Sequence, residues 1–376
     1  MTGPGEPIAW LAVAAFGGAI GWVLAALVPR LSASAGGQPD RASAAVRRRV
    51  GVAAILGTLA LWWWEVIAGG QAPLSAAGAV EPSIVRFVGH VVLFSLLAAA
   101  SWIDLRHRVI PDEITAPGAI AGLAWSAVFP AALLPIAVAV PRSFAQPLLE
   151  TDVLGCVGGL RSTPLPAWLE PRPAWTGLAA ALVVILGWWA CCTAPLRAAT
   201  GRPSVRVDLL REPRNLFLVV GLLGTTAAWW NGGLAWRGLL SGLTGLLVAA
   251  AMIWLTRAGA SRALGREAMG FGDVTLMAMM GAWLGWQACV LVCFLAVFIG
   301  LVHGLLQLVL RRESELPFGP SLCLAAALVV VFWRPLWRRV GVFFAEPLDM
   351  AAVIAAVIGL TAVSLLVWRR LRATGE

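Results

Sequence analysis

The sequence predicts an all-α membrane protein, a polytopic bundle of about 11 transmembrane helices. Of the 376 residues, 60% are hydrophobic and only 12% are charged, and long apolar runs recur along the whole chain. Soluble globular domains carry about 25% charged residues. A helix needs about 20 consecutive apolar residues to cross the hydrocarbon of a bilayer. These observations exclude an ordinary soluble domain.

The predicted spans follow one another from the N-terminus. Only one charge, Glu6, precedes the first run, so this run is predicted to be an uncleaved helix with its N-terminus outside. The runs at 215–230, 274–287 and 318–333 are short for a full crossing and are predicted to be tilted, interfacial or re-entrant. The predicted spans are 8–28, 50–68, 84–103, 114–134, 174–194, 215–230, 236–256, 274–287, 288–310, 318–333 and 350–368.

Arginine sets the predicted orientation. The chain contains no lysine, and 20 of its 28 arginines fall in loops that this topology places inside, as the positive-inside bias requires. Arg334, Arg338 and Arg339 fall outside and are the weak point of the arrangement. The net charge of +9 indicates contact with anionic headgroups and not with nucleic acid, because the arginines separate apolar runs and do not line one helical face.

Metal and cofactor chemistry has no support in the sequence. The six cysteines show no Cys-x-x-Cys spacing, and the three histidines are scattered. No Gly-x-Ser-x-Gly, His-Glu-x-x-His or Walker-type loop occurs. We therefore predict no metal site and no cofactor.

Two carboxylates are the candidate catalytic groups. Asp104 ends the third predicted span and Asp273 begins the eighth, 169 residues later. Both lie on the inner face in the predicted topology. Charged groups at the bilayer are costly, so those that occur there are candidates for function.

The local settings of the two aspartates suit acid and base chemistry. A helix N-terminus favours the anion of Asp273, whereas the dipole at a helix C-terminus opposes a negative charge on Asp104. If folding brings them together, like-charge repulsion favours one proton shared between them. One carboxylate can then deprotonate a water while the other protonates a carbonyl oxygen, which makes a pair for peptide hydrolysis.

The residues beside the aspartates allow two interpretations. Gly270 and Gly272 lack Cβ atoms and permit close approach of another backbone or a break in the helix. In the alternative interpretation, Asp273 is an ordinary helix N-cap. Asp112 follows Pro111 and is predicted chiefly to cap the fourth span, with a direct catalytic part as the second possibility.

Three motifs, in order, carry a resemblance to a known family. They read IDLRHRVIPDEIT at 103–115, EAMGFGDVTLMAMMGAWLG at 267–285 and LPFGPSLCLAAAL at 316–328. With them the chain resembles the prepilin peptidases, membrane aspartic proteases with a Gly-x-Gly-Asp motif that serve type IV pili and type II secretion. The resemblance covers about 84–134 and 236–333, and it implies that Asp104 and Asp273 are the catalytic pair.

The resemblance also implies the shape of the site and the reaction. Pro111, Asp112, Pro317 and Gly319, with the two glycines, would shape the site. The expected protein is an endopeptidase of the bacterial cytoplasmic membrane that removes the short basic leader of prepilins or pseudopilins at the cytoplasmic face. Its expected partners are those substrates and the lipid bilayer.

Two departures from the family pattern affect these expectations. The paired-cysteine zinc motif of bifunctional members is missing from the loop 30–49, which argues against zinc binding there and against N-methyltransferase activity. Thr275 stands where the family often has lysine, so the electrostatics beside Asp273 are expected to differ.

The chain divides into three predicted regions. These are a two-span N-terminal region at 1–83, a catalytic membrane domain at 84–333 with an insertion at about 135–230, and a C-terminal extra span within 334–376.

Two other functions remain open at this point. A transporter could use the same carboxylates for proton or cation relay, but the paired inverted halves it predicts are not found in the sequence. A non-catalytic scaffold with the same fold is the other alternative, and the intact aspartates and glycines argue against it.

Overall fold

A computed structural model describes residues 6–34, 44–71, 80–134, 167–170, 174–200, 213–265, 269–311 and 318–344, with four further residues at 352, 355, 356 and 359. This described part is helical and contains no strand, which confirms the predicted fold class. The helices are α1 Pro7–Ser34, α2 Ala44–Trp62, α3 Val80–His107, α4 Asp112–Val128, α5 Trp175–Thr200, α6 Pro213–Asn231, α7 Gly233–Leu264, α8 Phe271–Leu284, α9 Trp286–Arg311, α10 Gly319–Val331 and α11 Trp333–Val340.

Not every predicted span is a full crossing. Ten of the eleven apolar runs coincide with α1 to α10, and six of these helices are long and apolar enough to cross a membrane. A seventh span results if the bent pair of α10 and α11 counts as one. The predicted span at 350–368 lies almost wholly outside the described residues. The division of the chain into three regions stays a prediction.

Helix α8 is short and is buried among other helices. Every residue from Asp273 to Leu284 is buried. Helix α7 approaches so closely that a side chain at Gly245 or Gly281 would overlap the backbone of the other helix, the close packing that small residues allow in membranes. On the α4 side, Trp283 Nε1 donates a hydrogen bond of 2.8 Å to a carbonyl of α4. A helix packed on several sides need not match the thickness of the bilayer.

The bend between α10 and α11 changes the interpretation of the outlying arginines. Helix α11 leaves α10 at 85°. Its Trp333 and Trp337 face the core, whereas Arg338 and Arg339 are exposed. A short amphipathic helix turned away from its span is typical of the membrane surface. These arginines therefore belong to a surface helix, and α10 ends at Val331, two residues before the predicted end of the span at 333.

Candidate active site

Asp104 lies in the last turn of α3 and is 5% exposed. Arg108 ends the helix with φ 56°, and its N–H donates to the backbone carbonyl of Asp104 at 2.8 Å. A left-handed residue just past the last turn is a common helix terminator. The chain then turns back, and Ile110 is buried again. The end of α3 thus places a carboxylate and a buried loop side by side.

Asp273 is the third residue of α8 and is 7% exposed. Gly270 occupies the N-cap position, and no side chain makes a capping hydrogen bond. The alternative interpretation of Asp273 as an N-cap is therefore wrong. The approach to the helix is held by Arg257, whose Nε donates to the carbonyl of Met269 at 2.8 Å. The Asp273 carboxylate lies in the first helical turn, where the dipole favours an anion.

Gly319 connects the third motif to the first aspartate. It is the first residue of α10, and its backbone N–H donates a hydrogen bond to the Asp104 carboxylate. A Cβ atom at this position would lie 2.5 Å from Asp104 Oδ2. Only glycine therefore allows the start of α10 to approach the carboxylate this closely.

Ile110, in the first motif, lies next to glycines of the other two motifs, a role that the sequence did not predict. A Cβ at Gly272 would lie 2.9 Å from Ile110 Cβ, and a Cβ at Gly319 would lie 3.0 Å from Ile110 Cδ1. The isoleucine side chain therefore lies between the starts of α8 and α10. The only signal in the sequence is the apolar run Val109-Ile110-Pro111 between Arg108 and Asp112, which by itself predicts no partner.

The two carboxylates lie within range of each other's charge. The charge of Asp104 acts on Asp273 across the space between α3 and α8. Both side chains are nearly buried, and low local dielectric strengthens their repulsion. Carboxyl groups that interact strongly can share one proton. The arrangement can hold one ionised and one protonated carboxyl group next to each other.

At the position beside this pair where the family resemblance suggested lysine, the chain has Thr275, which is polar but uncharged. Thr275 is 2% exposed and donates to the carbonyl of Gly272 at 3.0 Å. Thr115 of α4 donates to the Thr275 hydroxyl at 3.2 Å. Within the described ranges, no three His, Cys, Asp or Glu side chains come together as a metal site needs.

Of the four remaining predicted site residues, the structure describes Pro111, Asp112 and Gly270. Pro111 is buried and is the N-cap residue of α4, whereas Asp112 is the first helical residue and not the cap. The predicted capping role of Asp112 is therefore wrong. Gly270 has an ordinary φ of −65°, and the nearest atom to a Cβ placed there is 3.9 Å away. Pro317 lies outside the described residues.

The two glycines before Asp273 are expected to respond differently to a methyl group. Gly272→Ala forces a Cβ against Ile110, and overpacking of this kind costs about 1–3 kcal/mol. Gly270→Ala meets open space and is expected to cost less. Thermal unfolding of both variants in the same detergent checks this order. Equal melting temperatures for the two variants would contradict the close contact with Ile110.

Comparison with known proteins identifies the same region. The profile of the type IV leader peptidase family matches residues 91–145 and 210–305. These two segments contain Asp104 and Asp273. The third motif lies beyond the second segment, and the structure alone relates Gly319 to Asp104.

Curated relatives bear the name prepilin leader peptidase/N-methyltransferase. The protein of Aeromonas salmonicida is 32% identical over 103 residues, which are 27% of this chain and 34% of the relative. The protein of Pectobacterium carotovorum is 40% identical over 105 residues, 24% of this chain and 38% of the relative. The chain thus spans about a third of the length of the curated relatives it matches. No solved structure matches.

Proposed function

We propose, on the premise that residues 91–145 and 210–305 match the type IV leader peptidase family, that this chain is a membrane aspartic endopeptidase. Its substrates are prepilins or pseudopilins, from which it removes the short leader. The observation that carries the proposal is the meeting of Asp104 and Asp273 at one end of the bundle, with Gly319 bound to Asp104.

The geometry supports hydrolysis by a shared proton. The ionised carboxylate of the pair takes a proton from a water, whose oxygen forms a bond to the scissile carbonyl carbon. The protonated partner donates its proton to the carbonyl oxygen. Collapse of the tetrahedral intermediate breaks the C–N bond, and the leaving nitrogen takes up the proton that the first carboxylate removed from water. As the C=O bond re-forms, the second carboxylate takes back a proton from a hydroxyl group of the intermediate, which restores the pair. The Gly319 N–H orients Asp104 during these steps.

The cleavage takes place at the cytoplasmic face of the inner membrane. Supporting this, arginines flank both aspartates in the sequence: Arg106 and Arg108 follow Asp104, and Arg262 and Arg266 precede Asp273. Cytoplasmic loops of membrane proteins carry an excess of arginine. A substrate with a hydrophobic helix lies in the same bilayer, and its cleavage point then meets the ends of α3, α8 and α10.

The proposed function is the peptidase reaction alone, without N-methyltransferase activity. The relatives' names include N-methyltransferase, but this chain has no cysteine between residues 30 and 49, the loop that carries the paired-cysteine motif in the bifunctional proteins it resembles.

A proton or cation relay is disfavoured by the packing between α3 and α10. Toward the other end of the bundle, the face of α3 that bears Asp104 continues through Ala100, Leu97 and Leu93, which are at most 3% exposed. These residues recur at helical spacing of three and four on one face. An apolar stretch of this length separates the carboxylates from the polar groups at the far end of α3.

The proposal is tested with the full chain in liposomes. A pseudopilin with its leader is reconstituted together with the protein, and leader loss is followed by mass spectrometry. A pH-sensitive dye inside the same liposomes follows proton flux. We expect cleavage without flux. Flux without cleavage, by the folded protein, would favour the transporter, and neither activity would favour the scaffold.

A further inference from the structure

A buried polar cluster lies at the end of α3 opposite to Asp104. Its members, Glu65, Gln71, Arg86 and His90, are each at most 5% exposed. His90 precedes Asp104 by about 21 Å along α3, at 1.5 Å per residue. The cluster is therefore separate from the candidate active site. Buried polar groups at membrane depth are costly, and their presence calls for a function.

Glu65 is the centre of this cluster. Its Oε1 lies 2.7 Å from His90 Nδ1 and accepts a hydrogen bond of 2.8 Å from Gln71 Nε2. The Arg86 guanidinium interacts with the Glu65 charge and donates to the carbonyl of Ala131 at 3.2 Å. These contacts tie the segment after α2 to the beginning of α3.

The local backbone is shaped to bring Gln71 to this place. Glu65 lies in a π-helical turn, Trp63–Ile67, a form found frequently at functional sites. Gly69 has φ 61°, which glycine adopts without strain. Gly70 packs so closely under the Trp64 ring that no Cβ would fit. The chain thus reverses, and Gln71 returns to Glu65.

The same segment binds the far end of α10. The last four carbonyls of a helix lack intrahelical partners, and α10 ends at an 85° bend. Gln71 Nε2 donates to the carbonyl of Val330 at 2.9 Å, and Trp64 Nε1 donates to the carbonyl of Val331 at 2.8 Å. We call Trp64 and Gln71 the α10 clamp. Both residues lie outside the segments that match the family.

Helix α10 connects the clamp to the active site. Its first residue, Gly319, donates to Asp104, and Val330 lies about 16 Å further along the helix. The helix between them is packed on its inner face, where Leu322, Ala325, Ala326 and Val329 are fully buried. Because these buried contacts oppose bending of the helix, we expect a displacement of one end to shift the other end.

We propose that Trp64 and Gln71 are positioning residues, which hold the far end of α10 and thereby keep the Gly319 N–H on the Asp104 carboxylate. This proposal rests on the proposed peptidase function. It gives the two-span N-terminal region a part in the reaction, although that region contributes neither aspartate. A displacement of about 1 Å can cost on the order of 10²-fold in rate, so loosening the clamp is expected to be measurable.

The first test compares two neighbouring tryptophans. Trp64→Phe removes the indole N–H that binds α10, whereas Trp63→Phe makes the same change at a residue that is 52% exposed. Gln71→Met keeps the side-chain length and removes both donated hydrogen bonds. We expect kcat per folded molecule to fall about tenfold in Trp64→Phe and Gln71→Met, with KM unchanged. Trp63→Phe should match the wild type.

A purely structural role gives a different result. It would lower the melting temperature and the folded fraction of the two clamp variants but leave kcat per folded molecule unchanged, and that outcome overturns the proposal.

A second measurement does not depend on activity. Spin labels are attached at Leu105→Cys on α3 and Leu324→Cys on α10, both more than half exposed in the wild type. Cys156 and Cys191 are replaced by serine so that neither of them takes up the label. Electron paramagnetic resonance should show a broader distance distribution in the clamp variants than in Trp63→Phe. An unchanged distribution overturns the proposal. If the wild-type protein cleaves no substrate, the peptidase function fails, and these distances still decide whether the clamp holds α10.

Discussion

Asp104→Asn and Asp273→Asn are each expected to abolish the proposed leader removal while the protein still folds. Asparagine keeps the size of the side chain but cannot carry the proton that the mechanism moves between the two carboxyl groups. General acid–base catalysis contributes roughly 10²–10⁴-fold in rate, and we expect a loss of at least this size. The double variant should be no slower than either single variant, because groups that act as a unit are not additive.

Glu113→Gln is the matched control for these variants. Glu113 is an exposed carboxylate in the first turn of α4, two residues after Pro111 and at the same end of the bundle as the pair. Its replacement removes one negative charge from this end without touching the pair. Cleavage is measured by mass spectrometry at equal amounts of folded protein. A wild-type cleavage rate in either aspartate variant would contradict the proposed mechanism.

Gly319→Ala is expected to lower kcat about 10²-fold with little change in KM. The added methyl group would lie 2.5 Å from Asp104 Oδ2 and 3.0 Å from Ile110 Cδ1. Either the carboxylate or the start of α10 must move, and the Gly319 N–H hydrogen bond is weakened. Hydrogen bonds to charged groups contribute about 1.5–3 kcal/mol. The measurement is a steady-state kinetic comparison with the wild type.

Gly259→Ala provides the control for the added methyl group. Gly259 lies in α7, and no atom is within 4 Å of a Cβ placed there. Alanine is a better helix former than glycine, so this variant should fold as well as the wild type. Activity of Gly319→Ala within twofold of Gly259→Ala would show that the contact between Gly319 and Asp104 does not limit the reaction.

The long helices were largely predictable from the sequence. The predicted span 84–103 lies within α3, Val80–His107, and the span 288–310 nearly coincides with α9, Trp286–Arg311. Apolar length is a local property that the thickness of the bilayer selects. Helix α4 ends at Val128, earlier than predicted, just before Phe129 and Pro130, because a residue before proline is disfavoured in a helix.

The candidate site was predictable in its residues but not in its contacts. The three motifs by themselves point to Asp104, Asp273 and Gly319. The contacts of Ile110 with both glycines were not predictable, since an apolar loop residue has no pattern that names its neighbours. The same holds for Gln71, whose hydrogen bond to Val330 joins residues 259 positions apart.

By itself, the sequence determined that this protein is a helical membrane protein, which segments are apolar and which carboxylates stand at their ends. The tertiary structure alone decided that α8 is buried among its neighbours, that α10 breaks at Val331, and that Gly319 donates to Asp104. The physical reason is the range of each effect. Transfer of a segment into hydrocarbon depends on its own residues, whereas a contact between distant segments depends on how closely the helices pack.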